Sequence, residues 1–256
     1  MIKAAFFDVD GTLLSHRTKQ IPQSARDALK MLKANGIQCV VSTGRMIQEM
    51  DKLPMGGVTF DAHITMNGQL TLDKNRQPLY GTPLEGEAKA FVLKLFAEKK
   101  IPVILVEQGR LYLNFENQRV IDVQASISSK VPPVSTYEGA DIYQVCLYVT
   151  GEEERVLDPV REFCEITRWH SGGVDVIAKG GGKRTAVRRY MEENGLLPEE
   201  TIAFGDGEND MGMLQQAGIG VALGNAEEKV RAIADYVTAD IDEDGLAKAL
   251  AHFGLI

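Results

Sequence analysis

Short apolar runs alternate with amphipathic stretches of helical period at both ends of the chain. That is the pattern of strands covered by helices. Residues 3–7 read as a strand, 22–35 as a helix and 37–42 as a second strand, a βαβ unit. Pro22 at the start of that helix and Gly36 just past its last turn fit the proline-in, glycine-out asymmetry of helix ends. Towards the C-terminus the alternation returns, with helices over 183–194, 209–217 and 245–253 and strands over 201–204, 219–223 and 236–238. Alternation of this kind favours an α/β fold in which a doubly wound parallel sheet carries helices on both faces.

The middle of the chain follows another pattern. After an apolar run over 60–65, Asn67-Gly68 signals a hairpin turn, and TLDKNRQPLY makes the next strands. A long amphipathic helix over 85–99 is followed by a strand over 101–107, a turn at Gln108-Gly109 and a strand over 111–115. A helix over 117–128, a break at Pro132-Pro133, the strand YQVCLYVT and a helix after Gly151 come next. ITRWH and VDVIA then close a hairpin around Gly172-Gly173. This reads as an α+β module with its own antiparallel sheet, inserted into the α/β core, and of ordinary domain size. The expected division is a core of 1–81 with 182–256 and an inserted module of 82–181, with the glycine triplet at 180–182 as a hinge.

Composition narrows the function classes. The 256 residues suffice for a sizeable core, and 44% hydrophobic with 25% charged residues is ordinary for a globular protein. A formal net charge of -8 argues against a nucleic-acid surface. The first apolar run breaks at Asp8, too early for a signal-peptide core, and no run is long enough to span a membrane. Cys39, Cys146 and Cys164 lie far apart without CxxC spacing and read as reduced thiols. A cytoplasmic protein is the expectation.

Candidate chemistry gathers at strand ends. FFDVDGTLL ends an apolar strand on Asp8 and Asp10, which can face one pocket because side chains two apart start on the same side of a strand. Two close carboxylates share a proton or hold a cation, and both outcomes suit phosphoryl transfer. Taken alone, the pair also fits a turn after an edge strand. VVSTGR ends a strand on Ser42 and Thr43 and leads through Gly44 towards a helix, where free N–H groups suit a phosphate oxygen and Thr43 could equally be a helix cap. GGGKRTAV puts Lys183 at a helix start, an unfavourable place for a cation unless an anion or carboxylates face it. Arg184 follows this GK and no glycine stands at Ile177, so it is not a Walker A loop. FGDGENDMGML presents Asp206, Glu208, Asn209 and Asp210 after a strand, hard oxygen ligands of the kind magnesium prefers, with helix capping by Asn209 or Asp210 as the alternative. GIGVALG is itself a strand and so cannot be a dinucleotide fingerprint, which should follow one.

Together and in this order, FFDVDGTLL, STGR, Lys183 and GDGEND resemble the motifs of the haloacid dehalogenase (HAD) superfamily of phosphotransferases. The inserted module, with IxxNG at positions 64–68, resembles the Cof-type branch with a C2B cap. The resemblance implies a Rossmann-like core with an α+β cap, and magnesium-dependent hydrolysis of a small phosphorylated metabolite through an aspartyl phosphate. Within it, Asp8 would be the nucleophile and Asp10 the general acid and base. Thr43, Gly44, Lys183 and Asn209 would hold the phosphoryl oxygens. Magnesium would lie against Asp8, the backbone carbonyl of Asp10 and Asp206, with Asp210 supporting from behind. A phosphomutase and a non-catalytic phosphometabolite sensor are the alternatives. Arg45 could reach the substrate or be structural. Tyr112, Asn114, Trp169, His170 and Asp175 could read the leaving group, Trp169 and His170 reading rather as packing residues.

Overall fold

The structure is a computed structural model of the full chain, described for residues 1–127 and 129–256. It divides into two compact units, Met1–Tyr80 with Gly182–Ile256, and Gly81–Gly181.

The first unit opens with β1 (Ala4–Phe7), α1 (Gln23–Ala34), β2 (Gln38–Ser42), the short α2 (Ile47–Met50), β3 (Ala62–Thr65), β4 (Leu70–Asp73) and β5 (Pro78–Gly81). Pro22 stands immediately before α1, and Gly36 follows its C-cap residue Asn35 in the left-handed region, as the pattern anticipated. β3 and β4 form the hairpin expected at Asn67-Gly68, with Thr65 opposite Leu70.

The inserted unit holds α3 (Gly86–Glu98), β6 (Val103–Val106), β7 (Leu111–Leu113), α4 (Gln118–Ser126), β8 (Gln144–Leu147), β9 (Cys164–His170) and β10 (Gly173–Ala178). Its strands form an antiparallel sheet in the order β7-β6-β8-β10-β9. One face of that sheet, with Leu105, Tyr112, Val145, Leu147, Val174 and Val176, packs on Val92, Leu95 and Phe96 of α3. Two helix expectations change here. The one after Gly151 is a run of 3₁₀ turns, Glu153–Val160, because Pro159 inside it offers no N–H to an α-helical ladder. The one expected to reach Ser128 is described as far as Ser126, and Ser128 itself lies outside the described residues.

The chain returns to the first unit with α5 (Gly182–Glu193), β11 (Thr201–Gly205), α6 (Met211–Gln216), β12 (Ile219–Ala222), α7 (Glu228–Arg231), β13 (Tyr236–Val237) and α8 (Gly245–His252). The helix expected over 209–217 is split, with a 3₁₀ turn at Glu208–Asp210 preceding α6.

The core sheet runs β13-β12-β11-β1-β2-β3-β4-β5, and every pairing from β13 through β3 is parallel. All four residues of β1 are buried, as befits a central strand covered on both faces. Ala4 and Phe6 join a cluster with Val187, Tyr190, Met213 and Leu214 of α5 and α6. Phe7, on the opposite face, stacks on Phe204 with ring centroids 5.2 Å apart. Pairing of β1 with β2 on one side and β11 on the other puts the topological switch point at β1, where an open α/β sheet binds ligands beyond its carboxyl ends. Among the described residues no helix is long and apolar enough to cross a membrane.

Candidate active site

Parallel register brings the ends of β1, β2 and β11 together, and the candidate residues sit on the loops that follow. Asp8 is tied to the sheet by its N–H, which donates to the Phe204 carbonyl at 3.0 Å. Beyond it the chain doubles back, the Leu13 and Leu14 N–H groups donating to the Val9 carbonyl at 2.9 and 2.7 Å. Gly11 in this turn has φ +90°, and a Cβ there would collide with the Asp206 carboxylate, so the position requires glycine on two counts.

Lys183 reaches the same place from the start of α5. Its Nζ donates to Asp8 Oδ1 and to Asp210 Oδ1, both at 2.6 Å, and its side chain is 0% exposed. A lysine at a helix start is thus explained by the two carboxylates that face it. Asp210 is oriented from its other oxygen, which accepts from the N–H groups of Asp206 and Gly207 at 3.0 Å each. Asp206 accepts from the Thr12 hydroxyl at 2.7 Å.

Asp8, Asp206 and Asp210 each offer an oxygen within 4.8 Å of the others. Three carboxylates face a single ammonium, and burial together with this charge imbalance shows in the acidities of Asp8 and Asp206. Burial, then Asp210, pushes the Asp8 carboxyl well above its ordinary range in spite of Lys183. Burial raises Asp206 to about 7 against the pull of the Thr12 hydroxyl. Burial alone would lower the Lys183 ammonium, but Asp210 and Asp8 outweigh it and hold it above its ordinary value. Clustered hard oxygens with excess negative charge fit a divalent cation such as magnesium.

The STGR loop lies beside this cluster's strands. The Thr43 N–H donates to the Ile64 carbonyl at 2.9 Å, and its hydroxyl accepts from the Arg45 N–H at 3.1 Å. Among the described residues the Gly44 N–H has no acceptor. Asn209 donates from Nδ2 to Asn67 Oδ1 at 3.0 Å. The Asp10 carboxylate is engaged from the same loop, since Arg45 donates from Nε at 2.6 Å and from a terminal nitrogen at 2.7 Å in a two-point fork. Asp10 therefore turns its side chain to Arg45, whereas Asp8, Asp206 and Asp210 converge. Glu208, on the acidic loop, pairs instead with Lys229 at 2.7 Å.

Three residues here escaped the sequence reading. Thr12 lay in plain view within FFDVDGTLL, as the hydroxyl that orients Asp206. Asn67 reads in the sequence as a turn former and as part of IxxNG, with no role at this site. Asn225 donates to the Gly11 carbonyl at 2.8 Å and accepts from the Ile241 N–H at 3.0 Å, tying the turn after β1 to the C-terminal segment. Nothing in its local pattern distinguishes it. In the inserted unit, Asn114 bonds four backbone groups, of Phe96, Ile101, Val103 and Phe115, and Tyr112 donates to buried Glu107 at 2.6 Å. Both are occupied in holding their own unit. Trp169 packs edge-on against Tyr148, in keeping with a packing role.

The family model of haloacid dehalogenase-like hydrolases matches residues 5–250. BT1666 of Bacteroides thetaiotaomicron, a HAD-superfamily phosphatase, is 35% identical, superposes with a TM-score of 0.89, and is covered over 96% of its chain by 100% of this one. The subclass IIB sugar phosphatase BT4131 is 38% identical at a TM-score of 0.86, with 99% of this chain and 100% of that one covered. YkrA of Bacillus subtilis (strain 168) is 34% identical over 257 residues, 99% of this chain and 98% of its own. The chain belongs to the haloacid dehalogenase-like hydrolases, and within that superfamily it is a phosphatase.

Proposed function

We propose that this phosphatase hydrolyses small phosphate monoesters, sugar phosphates first among them, through an aspartyl phosphate and with magnesium bound by its acidic cluster. The observation that carries the reading is the buried convergence of Asp8, Asp206 and Asp210 on one lysine. Such a cluster is poorly balanced alone and is suited to a cation and a phosphate together. Similarity to the sugar phosphatase BT4131 directs the choice of substrate class.

Asp8 is the nucleophile. One of its oxygens bonds to phosphorus as the bond to the leaving oxygen breaks, and Asp10 gives that oxygen a proton. Asp10 then takes a proton from water, the water oxygen bonds to phosphorus, and the aspartyl bond breaks to release inorganic phosphate. Arg45 takes one lone pair on each Asp10 oxygen and so orients the carboxyl, while a second lone pair on each is left to face the leaving oxygen. Thr43, Gly44, Lys183 and Asn209 hold the phosphoryl oxygens. Magnesium, held by Asp8, Asp206 and the Asp10 carbonyl with Asp210 steadying the loop behind, would neutralise charge on the phosphoryl group. The inserted module, 82–181, reads the leaving group.

Phosphate release from a panel of phosphorylated sugars, nucleotides and cofactors, with and without magnesium, tests this directly. Asp8→Asn should abolish release while leaving thermal unfolding intact, and undiminished turnover would sink the reading. Substrate loss without matching free phosphate would indicate transfer back to substrate instead of to water.

A further inference from the structure

The turn between β3 and β4 holds three consecutive residues in the left-handed region, Met66 at φ 51°, Asn67 at 54° and Gly68 at 90°. Met66 is fully buried there, and a long side chain in this conformation costs energy that its surroundings must supply. The restraints are visible. The Met66 N–H donates to the Arg45 carbonyl and the Asn67 N–H to the Thr43 carbonyl, each at 3.0 Å. Gly68 lies so close to the Gly182 carbonyl group, at the start of α5, that no Cβ fits. The twisted turn thus grips the STGR loop on one side and the Lys183 helix start on the other.

Its product is the placement of one amide. Asn67 Oδ1 accepts from Asn209, 142 positions away in sequence. The two polar atoms of the same amide lie 3.1 and 3.3 Å from where a Cβ on Gly44 would stand. On its other side, the Asn209 Oδ1 sits 2.8 Å from the Cβ position of Gly207. Asn209 is therefore wedged between its own loop and Asn67, and Gly44 is packed flat under the Asn67 amide.

We propose that Asn67 is a positioning residue, whose side-chain amide sets the spacing between Asn209 and the Gly44 peptide so that both meet one phosphoryl group. This rests on the proposed phosphate-holding roles of Asn209 and Gly44. The competing account is that Asn67 merely tolerates a left-handed turn, as asparagine does. Asn67→Gly separates the two, because glycine satisfies the turn and removes only the amide. The variant should unfold within about 3 °C of the parent, its kcat should fall roughly 10- to 100-fold, as a displaced positioning group allows, and its KM should change less. In Asn67→Gly/Asn209→Ala the loss should be smaller than the product of the two single losses, since the amide acts in part through Asn209.

A kcat within about twofold of the parent overturns the proposal, as do losses that multiply in the double variant or a kcat loss matched by a fall in unfolding temperature. Failure of the phosphatase reading itself would look different: turnover would survive Asp8→Asn, whatever Asn67→Gly does.

Discussion

Lys183→Met is the perturbation whose consequences can be worked most fully from the site. Methionine keeps the length and apolar stem of the side chain and removes the charge. At an effective dielectric near 20, each 2.6 Å contact to Asp8 and Asp210 represents roughly 6 kcal/mol of attraction, partly offset by the cost of burying the ammonium. Loss of one partner from a buried ion pair costs a net of about 3–5 kcal/mol. For a chain of this size that lowers the unfolding midpoint by roughly 10 °C. The loss should depend on pH, with a sign that follows from the acidities. In the parent, Asp206 titrates at about 7, above its ordinary value of 3.8, so the folded state holds more protons than the unfolded state between these values. Stability of the metal-free protein therefore falls as pH rises through that window. Lys183 lowers both Asp8 and Asp206, so without the ammonium these two carboxyls are pushed higher still, and the penalty of Lys183→Met should be larger at pH 8 than at pH 5, where they can take protons. Thermal unfolding of the metal-free parent and variant at the two pH values reads this out. A penalty that is under about 1 kcal/mol at pH 8, or equal at both, would refute the account of the buried cluster.

Two further outcomes follow from the same geometry. Chelation should remove turnover and magnesium restore it, and the apparent magnesium affinity should be roughly tenfold or more weaker at pH 5.5 than at pH 8, because Asp206 and Asp8 must shed protons for the cation to bind; titration followed by unfolding temperature checks this. Arg45→Ala should cut kcat by about tenfold or more by releasing Asp10, yet cost only about 0–1 kcal/mol of stability because the pair is a third exposed, at 34% and 32%; steady-state kinetics beside thermal unfolding distinguishes the two.

Much of this protein was legible along the chain because its signals are local. Apolar runs and helix ends marked by Pro22 and Gly36 expose the αβ alternation, and Asp8, Thr43, Lys183 and Asp206 stand at strand or helix termini where sequence pattern is sharpest. The 3₁₀ character of Glu153–Val160 is not read from the chain, whose pattern predicts a helix after Gly151, because periodicity alone does not separate a 3₁₀ run from an α-helix. The uses to which side chains are put were decided elsewhere. Arg45 could have met solvent, substrate or a carboxylate, and only the juxtaposition of the β1 and β2 loops commits it to Asp10. Asn67 and Asn225 act on partners 142 and 214 positions distant, and no local window contains both ends of such a contact. Motifs, being short and local, name the chemistry a chain carries. Which carboxylate faces the lysine, which faces the arginine, and which amide holds the next are settled by the sheet's strand order, because that order alone brings distant loops within hydrogen-bonding reach.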